Sequence, residues 1–343
     1  MKRLKLLSLL VISALIVGGC GFDVKKVVPE FLKSSPGISA KFAIRKISKR
    51  AIDVRRDGVT FDDGTFVTRE GEGPFKLPLG YYFVNKSSSK YIAAAQSGKF
   101  KIFDSSGEEI VSGKVPLAII SASIIANQMV YVLENNTIGV YSLSAKKVIA
   151  SKTLKPAYAI DTRVANPIFF KGFAIIPTLD GKLLMINPEH PDLIRGVDLA
   201  GGAIFSNIIY LDTIEGRIIA ASLNMVLSIA PGALEKYKAQ VADVTTSSNR
   251  VFLLTMDGKT IKMTPALREV IKRKFKYADF TNIAYLDGKV FAFARSGALV
   301  VLDSNLLKYK IYAVGEARDY SFVAHDKLYI DDRVVDLNKL SYE

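Results

Sequence analysis

The chain of 343 residues contains no tryptophan, one cysteine and two histidines. A single cysteine excludes an intramolecular disulfide. His190 and His325 lie far apart in the sequence, and neither has a partner at the spacing of a zinc or copper motif. No glycine-rich phosphate loop and no Gly-x-Ser-x-Gly nucleophile motif is present. The sequence therefore predicts no catalytic residue, no metal site and no cofactor, and it favours a binding protein over an enzyme.

Long hydrophobic runs are also scarce. Beyond the N-terminus the longest covers residues 117–126 and includes two serines, whereas a membrane-spanning helix needs about 20 apolar residues. At the N-terminus, Lys2, Arg3 and Lys5 precede a short apolar stretch over residues 6–17. Positive charge, a short apolar core and small residues in that order are typical of a secretory signal peptide. We therefore expect residues 1–19 to be a signal peptide and the rest of the chain to be exported.

The cysteine, Cys20, follows Gly18 and Gly19 at the expected cleavage site. This arrangement resembles the lipobox of bacterial lipoproteins, which implies that the Cys20 thiol carries a lipid and becomes the mature N-terminus. The alternatives are an ordinary signal peptide with an incidental cysteine, or a buried free thiol. Gly21, in place of Asp after the cysteine, implies by the same resemblance an outer-membrane location on the periplasmic side.

Residues 20–39 are predicted to be a lipidated tether. They contain Pro29, Pro36 and a pair of serines, with no sustained hydrophobic period. Fully extended, such a segment reaches at most about 70 Å. We expect the protein to attach to a membrane through this lipid anchor rather than to span it.

The remaining chain is basic. The sequence has 47 Lys and Arg against 33 Asp and Glu, and the signal peptide removes three basic residues, so the formal charge becomes 44 − 33 = +11. A basic surface suits anionic lipid or an acidic protein partner. Export makes nucleic acid the least suitable partner. The alternative is a solvated basic surface that serves solubility.

From about residue 40 the chain repeats a pattern of strand, turn, strand, turn and strand. Clear examples cover residues 81–104, 124–142, 166–187 and 282–303. One apolar position near the third strand recurs in every unit, at Phe66, Phe103, Tyr141, Ile186, Ile229, Met263, Leu302 and Val335. A period near 40 residues with four strands per unit indicates a β-propeller. The fold class is therefore all-β, and the repeat predicts eight blades, with seven as the alternative.

The two ends of the repeat complete each other. The last unit, residues 321–340, has room for three strands, whereas residues 40–47 form a strand-like run without a hairpin partner. We expect residues 40–47 to supply the fourth strand of the last blade, which closes the ring within a single domain over residues 40–343. Residues 233–240 and 266–277 fall where outer strands are due, and their lysines suit exposed sheet edges.

Residues 167–187 resemble the PQQ-like propeller repeat in the placement of a proline, a glycine, an Asp-Gly turn and a final Ile-Asn. Together with the lipobox, eight such units resemble the BamB family of outer-membrane lipoproteins. That family usually carries a Trp in each outer strand, so here Phe, Tyr and aliphatic residues must pack the blades.

The resemblance implies a scaffold that binds a BamA-like barrel-inserting subunit of the β-barrel assembly machinery and assists outer-membrane protein insertion. The partner-binding residues that it implies are Leu193 and Arg195, in a Leu-x-Arg-Gly run, and Asp243. The alternative is that Leu193 is an ordinary outer-strand residue and Arg195 a solvated charge.

Two other functions remain open. An envelope adaptor with a different protein partner would have the same sequence features. A periplasmic quinoprotein enzyme resembles longer chains with a vicinal cysteine pair and tryptophan stacking on the cofactor, and this chain has neither.

Overall fold

The strands of the chain form eight separate sheets that are arranged as the blades of a β-propeller. The structure is a computed structural model that describes residues 33, 37–198 and 206–343, and of residues 191–198 the backbone alone. Each blade has four strands in antiparallel order from the central channel to the rim, and a short parallel strand adds a fifth to the sheet of blade 7. The eight-bladed prediction is confirmed, and the seven-bladed alternative is wrong.

The strands of the first four blades follow the order of the sequence. Blade 1 contains β3 (Ala51–Val54), β4 (Gly58–Phe61), β5 (Phe66–Thr68) and β6 (Gly71–Glu72). Blade 2 contains β7 (Tyr82–Ser87), β8 (Lys90–Ala94), β9 (Lys99–Phe103) and β10 (Glu109–Lys114). Blade 3 contains β11 (Ile119–Ile125), β12 (Gln128–Leu133), β13 (Thr137–Ser142) and β14 (Lys147–Thr153). Blade 4 contains β15 (Ile168–Phe170), β16 (Phe173–Pro177), β17 (Lys182–Asn187) and β18 (His190–Asp198).

The second half continues in the same way. Blade 5 contains β19 (Tyr210–Ile214), β20 (Arg217–Ser222), β21 (Met225–Ala230) and β22 (Ala233–Lys238). Blade 6 contains β23 (Val241–Thr246), β24 (Val251–Thr255), β25 (Lys259–Met263) and β26 (Glu269–Lys274). Blade 7 contains β27 (Phe280–Leu286), β28 (Lys289–Ala294), β29 (Ala298–Asp303) and β30 (Tyr309–Ala313). Blade 8 contains β31 (Ser321–Ala324), β32 (Lys327–Ile330) and β33 (Arg333–Asp336). The recurring apolar position of the repeat lies in the third strand of every blade.

The N-terminal segment completes blade 8, as predicted. Strand β2 (Ile44–Lys46) pairs antiparallel with β33, and a short 3₁₀ helix, Lys41–Ala43, precedes it. A second 3₁₀ helix, Leu337–Lys339, follows β33. Strand β1 (Ile38–Ser39), which lies within the range predicted as tether, pairs parallel with the outer strand β30 of blade 7. The N-terminal segment therefore joins the last two blades at their rim.

Apolar side chains between neighbouring blades form the core. Aromatic pairs take the place of the missing tryptophans at several junctions: Phe66 stacks on Phe83 between blades 1 and 2, and Phe252 stacks on Tyr285 between blades 6 and 7. Around blades 4 and 5 the contacts are mainly aliphatic. The prediction that Phe, Tyr and aliphatic residues pack the blades is confirmed. Within the described residues, no helix is long and apolar enough to cross a membrane.

The turn before β13 ties two blades together through a single side chain. Asn136 has φ of +67°, a left-handed conformation that asparagine tolerates. Its Oδ1 accepts a hydrogen bond from the Leu179 amide at 2.8 Å, and its Nδ2 donates to Asp180 at 3.1 Å. Blades 3 and 4 are thereby held in register by a fully buried amide.

Candidate functional site in the central channel

The innermost strands line the central channel, and one turn projects into it. Strands β3 and β4 are four residues long, whereas β11 and β27 have seven. The β3–β4 turn, residues 55–57, therefore ends partway along the channel. Its side chains contact strands β11 of blade 3 and β23 of blade 6, so the turn bridges the channel. We call Arg55, Arg56 and Asp57 the channel plug.

Arg56 and Asp243 form the central contact of the channel plug. Arg56 Nη1 lies 2.5 Å from Asp243 Oδ1, and Arg56 Nη2 donates to the Val244 carbonyl at 3.2 Å. Asp243 Oδ2 accepts from the Ile283 amide at 3.0 Å. The guanidinium also lies over the Tyr210 ring, 5.0 Å from its centroid. One turn of blade 1 is thus bonded to blade 6, while Asp243 connects blade 6 to blade 7.

Burial makes this contact strongly charge-dependent. The Asp243 side chain is 1% exposed and that of Arg56 8%. Burial alone would raise the pKa of Asp243, but the nearby cations Arg56, Arg163 and Arg69 outweigh it and hold that pKa below its usual value. Burial, with the nearby Arg56 cation, lowers the pKa of Arg69 to about 10. The two other arginines near Asp243 also have carboxylate partners of their own: Arg163 pairs with Asp161, and Arg69 lies 3.7 Å from Asp57.

The other two residues of the channel plug hold the turn in place. Asn166, which precedes blade 4, donates from Nδ2 to Asp57 at 2.7 Å and accepts from the Ala122 amide at 3.0 Å. Arg55 pairs with Asp53 at 2.7 Å and donates to the Ile119 carbonyl at 3.0 Å. Blade 1 is in this way connected to blade 3 and to the loop that begins blade 4.

The channel plug separates two depressions. The smaller, about 330 Å³, is lined by Arg56, Tyr210, Asp212 and Thr246 among others. The larger, about 540 Å³, opens on the face where each outer strand crosses to the next blade, which we call the crossover face. Its lining carries both signs of charge, at Arg55, Asp161, Arg163, Asp279, Arg295 and Asp319. Arg163 reaches from the blade 3–4 crossing to the Ala242 carbonyl at 2.6 Å and pairs with Asp161.

Exposed apolar side chains lie beside the larger depression on the crossover face. Tyr158 and Ile160 are 80% and 60% exposed in the crossing segment that leads into Asp161. Met256 lines the depression, and Tyr277 lies two residues before its lining residue Asp279. Exposed apolar groups around a polar centre are typical of a protein-binding surface. Among the described residues no group of three His, Cys, Asp or Glu side chains could hold a metal ion.

The structure places the predicted partner-binding residues in different layers. The backbone of Leu193 and Arg195 lies in β18, the outermost strand of blade 4, with Arg195 opposite Met185; their side chains lie outside the described part. Asp243 lies in β23, an innermost strand. The Asp243 carboxylate is buried against Arg56, so the structure does not bring it to the rim beside Arg195. Cys20 lies outside the described residues, and both the lipidation and the partner-binding assignments stay predictions.

Sequence reasoning missed Arg56, Asp57, Arg69 and Asn166. One available signal was the run Arg55-Arg56-Asp57 between two short β segments. Three consecutive charges in a tight turn are ordinary on a protein surface, so this run alone did not indicate a buried site. A second signal was Asp243 itself, a single acid in an apolar inner strand. Such an acid is expected to have a buried partner.

Comparison with solved structures agrees with the propeller fold. BamB from Moraxella catarrhalis superposes with a TM-score of 0.64 at 16% identity, covering 85% of this chain and 98% of that one. The C-terminal WD40 domain of Sif2 superposes with a TM-score of 0.60 at 11% identity, covering 87% of this chain and 98% of that one. At such low identities the similarity establishes the fold alone.

Sequence comparison points to a different set of proteins. The plasminogen-binding protein PgbB of Helicobacter pylori, from strains J99 and 26695, is 27% identical over 229 residues, which cover 65% of this chain. The match covers 42% of each relative, so the chain spans less than half the length of these curated proteins. No protein-family model matches the chain.

Proposed function

We propose that this protein is a non-catalytic lipoprotein scaffold, anchored through Cys20 on the periplasmic side of the outer membrane. Its partner would be a BamA-like barrel-inserting subunit, and its role would be to assist outer-membrane protein insertion. The observation that carries the proposal is the crossover face, where exposed apolar side chains lie beside the mouth of the channel that the plug bridges. The propeller shared with BamB supports the choice of partner as fold-level analogy.

The channel chemistry supports binding rather than catalysis. The buried charges have internal partners: Arg56 pairs with Asp243, Arg163 with Asp161, and Asp57 accepts from Asn166. A general acid or base must lie within hydrogen-bonding distance of a reacting group. The charged groups of the channel instead form hydrogen bonds and ion pairs with one another and with the strands of other blades. The crossover face instead offers Tyr and Met side chains, which are enriched at protein interfaces.

We place a second part of the contact at Leu193 and Arg195. The strand that contains them, β18, runs toward the crossover face, where the segment to blade 5 begins. An arginine suits an interface because its planar guanidinium donates several hydrogen bonds at once. Arg195→Glu should weaken partner binding by roughly 1–4 kcal/mol if this residue is a hot spot, with an unchanged melting temperature.

A second candidate function is binding of a different protein, as an envelope adaptor. The named activity of the sequence relatives, plasminogen binding, favours this candidate. The aligned region covers less than half of those relatives, so that activity can reside in their remaining part.

Capture by immobilised partners separates the two candidates. The test measures binding of the purified protein to the periplasmic domains of a BamA-like subunit and, in parallel, to plasminogen. Ile160→Asp with Met256→Asp should lower affinity for the true partner by about 2 kcal/mol or more, because two apolar contacts would be replaced by unpaired charges. Ile149→Asp on the outer strand of blade 3, a half-exposed site, is the matched control.

The outcomes discriminate clearly. Binding to the BamA-like domains that falls in the crossover-face variant, but not in the control, supports the proposal. Binding to plasminogen alone supports the adaptor candidate. Binding that neither the crossover-face change nor Arg195→Glu weakens would show that both contact assignments are wrong.

A further inference from the structure

Two successive blades present the same exposed pattern on their outermost strands. In β22 and β26, alternate residues point to solvent in the order apolar, Lys, Lys. These six exposed residues, which we call the outer-rim patch, are Leu234, Lys236, Lys238, Val270, Lys272 and Lys274. The register is equivalent in the two blades, because Lys238 and Lys274 each lie opposite the first residue of their third strand.

Contacts between the outer strands make this surface continuous. The Tyr237 hydroxyl of β22 donates to Glu269 of β26 at 2.7 Å. From β26, Arg273 donates to the Leu306 carbonyl of blade 7 at 2.8 Å. The basic rim therefore extends without a gap from blade 5 to the edge of blade 7.

The local charge of this region is strongly positive. Residues 233–277 contain ten Lys and Arg and four Asp and Glu, and one of those acids, Asp243, is buried in the channel. The other three are neutralised by local pairs: Glu235 with Arg217, Glu269 with Lys272, and Asp257 with Lys259 and Lys274. Within the described part of the chain, Lys236 and Lys238 form no ion pair.

The chain enters the propeller beside this surface. Strand β1 (Ile38–Ser39) pairs with β30 at the rim of blade 7. The rings of Phe275, just after β26, and Tyr309 in β30 are 5.2 Å apart, so blade 6 adjoins the blade at which the N-terminal segment docks. A tether from Cys20 to residue 37 spans at most about 60 Å. It would hold blades 5–7 closer to its anchor than the opposite side of the ring.

We infer that the outer-rim patch lies against the anionic headgroups of a phospholipid bilayer. The inference rests on the lipid anchor of the proposed function, which would hold this side of the ring at the membrane. Lysines near an anionic surface are attracted over about a Debye length, and Leu234 and Val270 add apolar contact at the same depth. Since the patch lies on the outermost strands, docking through it places the side of the ring against the membrane and leaves the crossover face free.

The test is vesicle sedimentation of the mature chain, residues 20–343, carrying Cys20→Ser, so that neither the signal peptide nor an acyl chain contributes. Vesicles contain phosphatidylethanolamine with about one quarter phosphatidylglycerol, or phosphatidylcholine alone. We expect binding to the anionic vesicles only, and loss of that binding at about 0.5 M salt. Changing the four lysines of the outer-rim patch to Glu should lower the affinity by at least about tenfold.

A matched control makes the same charge change on the outer strand of blade 3, two blades away from the patch. It replaces Lys146, Lys147, Lys152 and Lys155, all exposed in or beside β14 of blade 3, with Glu. A change of the patch lysines to Gln serves if the Glu variant does not fold, as judged by its melting temperature. Equal loss in the control, unchanged binding in the patch variants, or no binding to anionic vesicles at low salt would each overturn the inference. Since the assay contains neither partner protein nor acyl chain, its outcome is independent of partner binding and of lipidation.

Discussion

The buried pair of Arg56 and Asp243 gives the sharpest test of the channel plug as the contact that holds the ring closed. Breaking a buried ion pair by removing one partner destabilises a protein by about 3–5 kcal/mol, because the remaining charge stays buried without its counterion. Here the two single changes should differ. Arg56→Met leaves Asp243 beside Arg163 and Arg69 and with the Ile283 amide hydrogen bond, so we expect a loss near 3 kcal/mol.

Asp243→Asn should lower the free energy of unfolding more than Arg56→Met does. It leaves the Arg56 guanidinium, whose side chain is 8% exposed, without its hydrogen-bonded carboxylate and near a second cation, Arg69, with Asp57 as the remaining nearby anion. We expect a loss near 5 kcal/mol. The double variant Arg56→Met with Asp243→Asn should lose less than the sum of the two, because removing both charges avoids an unpaired one.

Equilibrium urea unfolding, followed by circular dichroism, gives the free energy of unfolding of the wild type, the two single variants and the double variant. These four values form a double-mutant cycle. Arg55→Met is the matched control, since Arg55 occupies the same turn but is more exposed and hydrogen-bonds mainly to carbonyls. We expect that control to lose about 1–2 kcal/mol. Additive single changes, or an Arg56→Met loss no greater than that of Arg55→Met, would refute the assignment of the central closing contact to this pair.

The same pair predicts an acid response. The folded-state pKa of Asp243 is lowered by Arg56 and its neighbours in spite of burial. A carboxyl with a lowered folded pKa stabilises the protein above its unfolded pKa, about 3.9, and loses that contribution as the pH falls through the folded value. The contribution of Asp243 to the free energy of unfolding of the wild type should therefore be constant between about pH 7 and 5 and decrease below about pH 4. Asp243→Asn should show a smaller fall, and an identical acid slope in both proteins would contradict this account.

Further predictions concern the anchor, ring closure and turns. Cys20→Ser should abolish acyl labelling and release the protein from the membrane fraction; unchanged fractionation with no lipid by mass spectrometry would contradict lipidation. Deleting residues 40–47 should lower the melting temperature by at least about 5 °C, because β2 and the buried alanines before it are lost, whereas deleting 22–36 should change it little; equal shifts would count against closure by β2. Gly258→Ala should destabilise by at least about 2 kcal/mol, because φ is +84° and a Cβ would lie 2.2 Å from a carbonyl oxygen. Gly288→Ala, with φ of +75° and open space, should lose about 1 kcal/mol, and similar losses in both would show that the close contact has no effect.

The repeat and its closure were predictable because they depend on local pattern. An apolar position recurs in every third strand, and the turn glycines ahead of it adopt positive φ, as at Gly98 and Gly297. The orphan run at residues 40–47 and the short last unit complement each other in strand number alone. The recurring apolar position and the incomplete first and last units are each visible within a short stretch of sequence, so neither requires knowledge of which distant residues are in contact.

The channel plug was not predictable in the same way. Arg56 and Asp243 are 187 residues apart, so their pairing depends on which inner strands face each other across the ring. Sequence resemblance placed Asp243 at a partner surface, whereas its neighbours Val241 and Val244 are fully buried. An acid within an inner strand that is apolar on both sides marks a buried ion pair, and the arginine that neutralises it is fixed by the ring geometry.

The two proposed surfaces are mutually compatible because they lie on perpendicular sides of the propeller. Contact through Lys236 and Lys272 at the rim orients the channel axis parallel to the bilayer. The crossover face near Ile160 is then perpendicular to the membrane plane. A partner that is itself embedded in the outer membrane would meet that face side by side with the propeller. Charge reversal at the outer-rim patch should therefore reduce partner capture on anionic vesicles, where both molecules must be oriented. It should leave capture in detergent solution unchanged, and a loss in detergent as well would show that the patch contacts the partner directly.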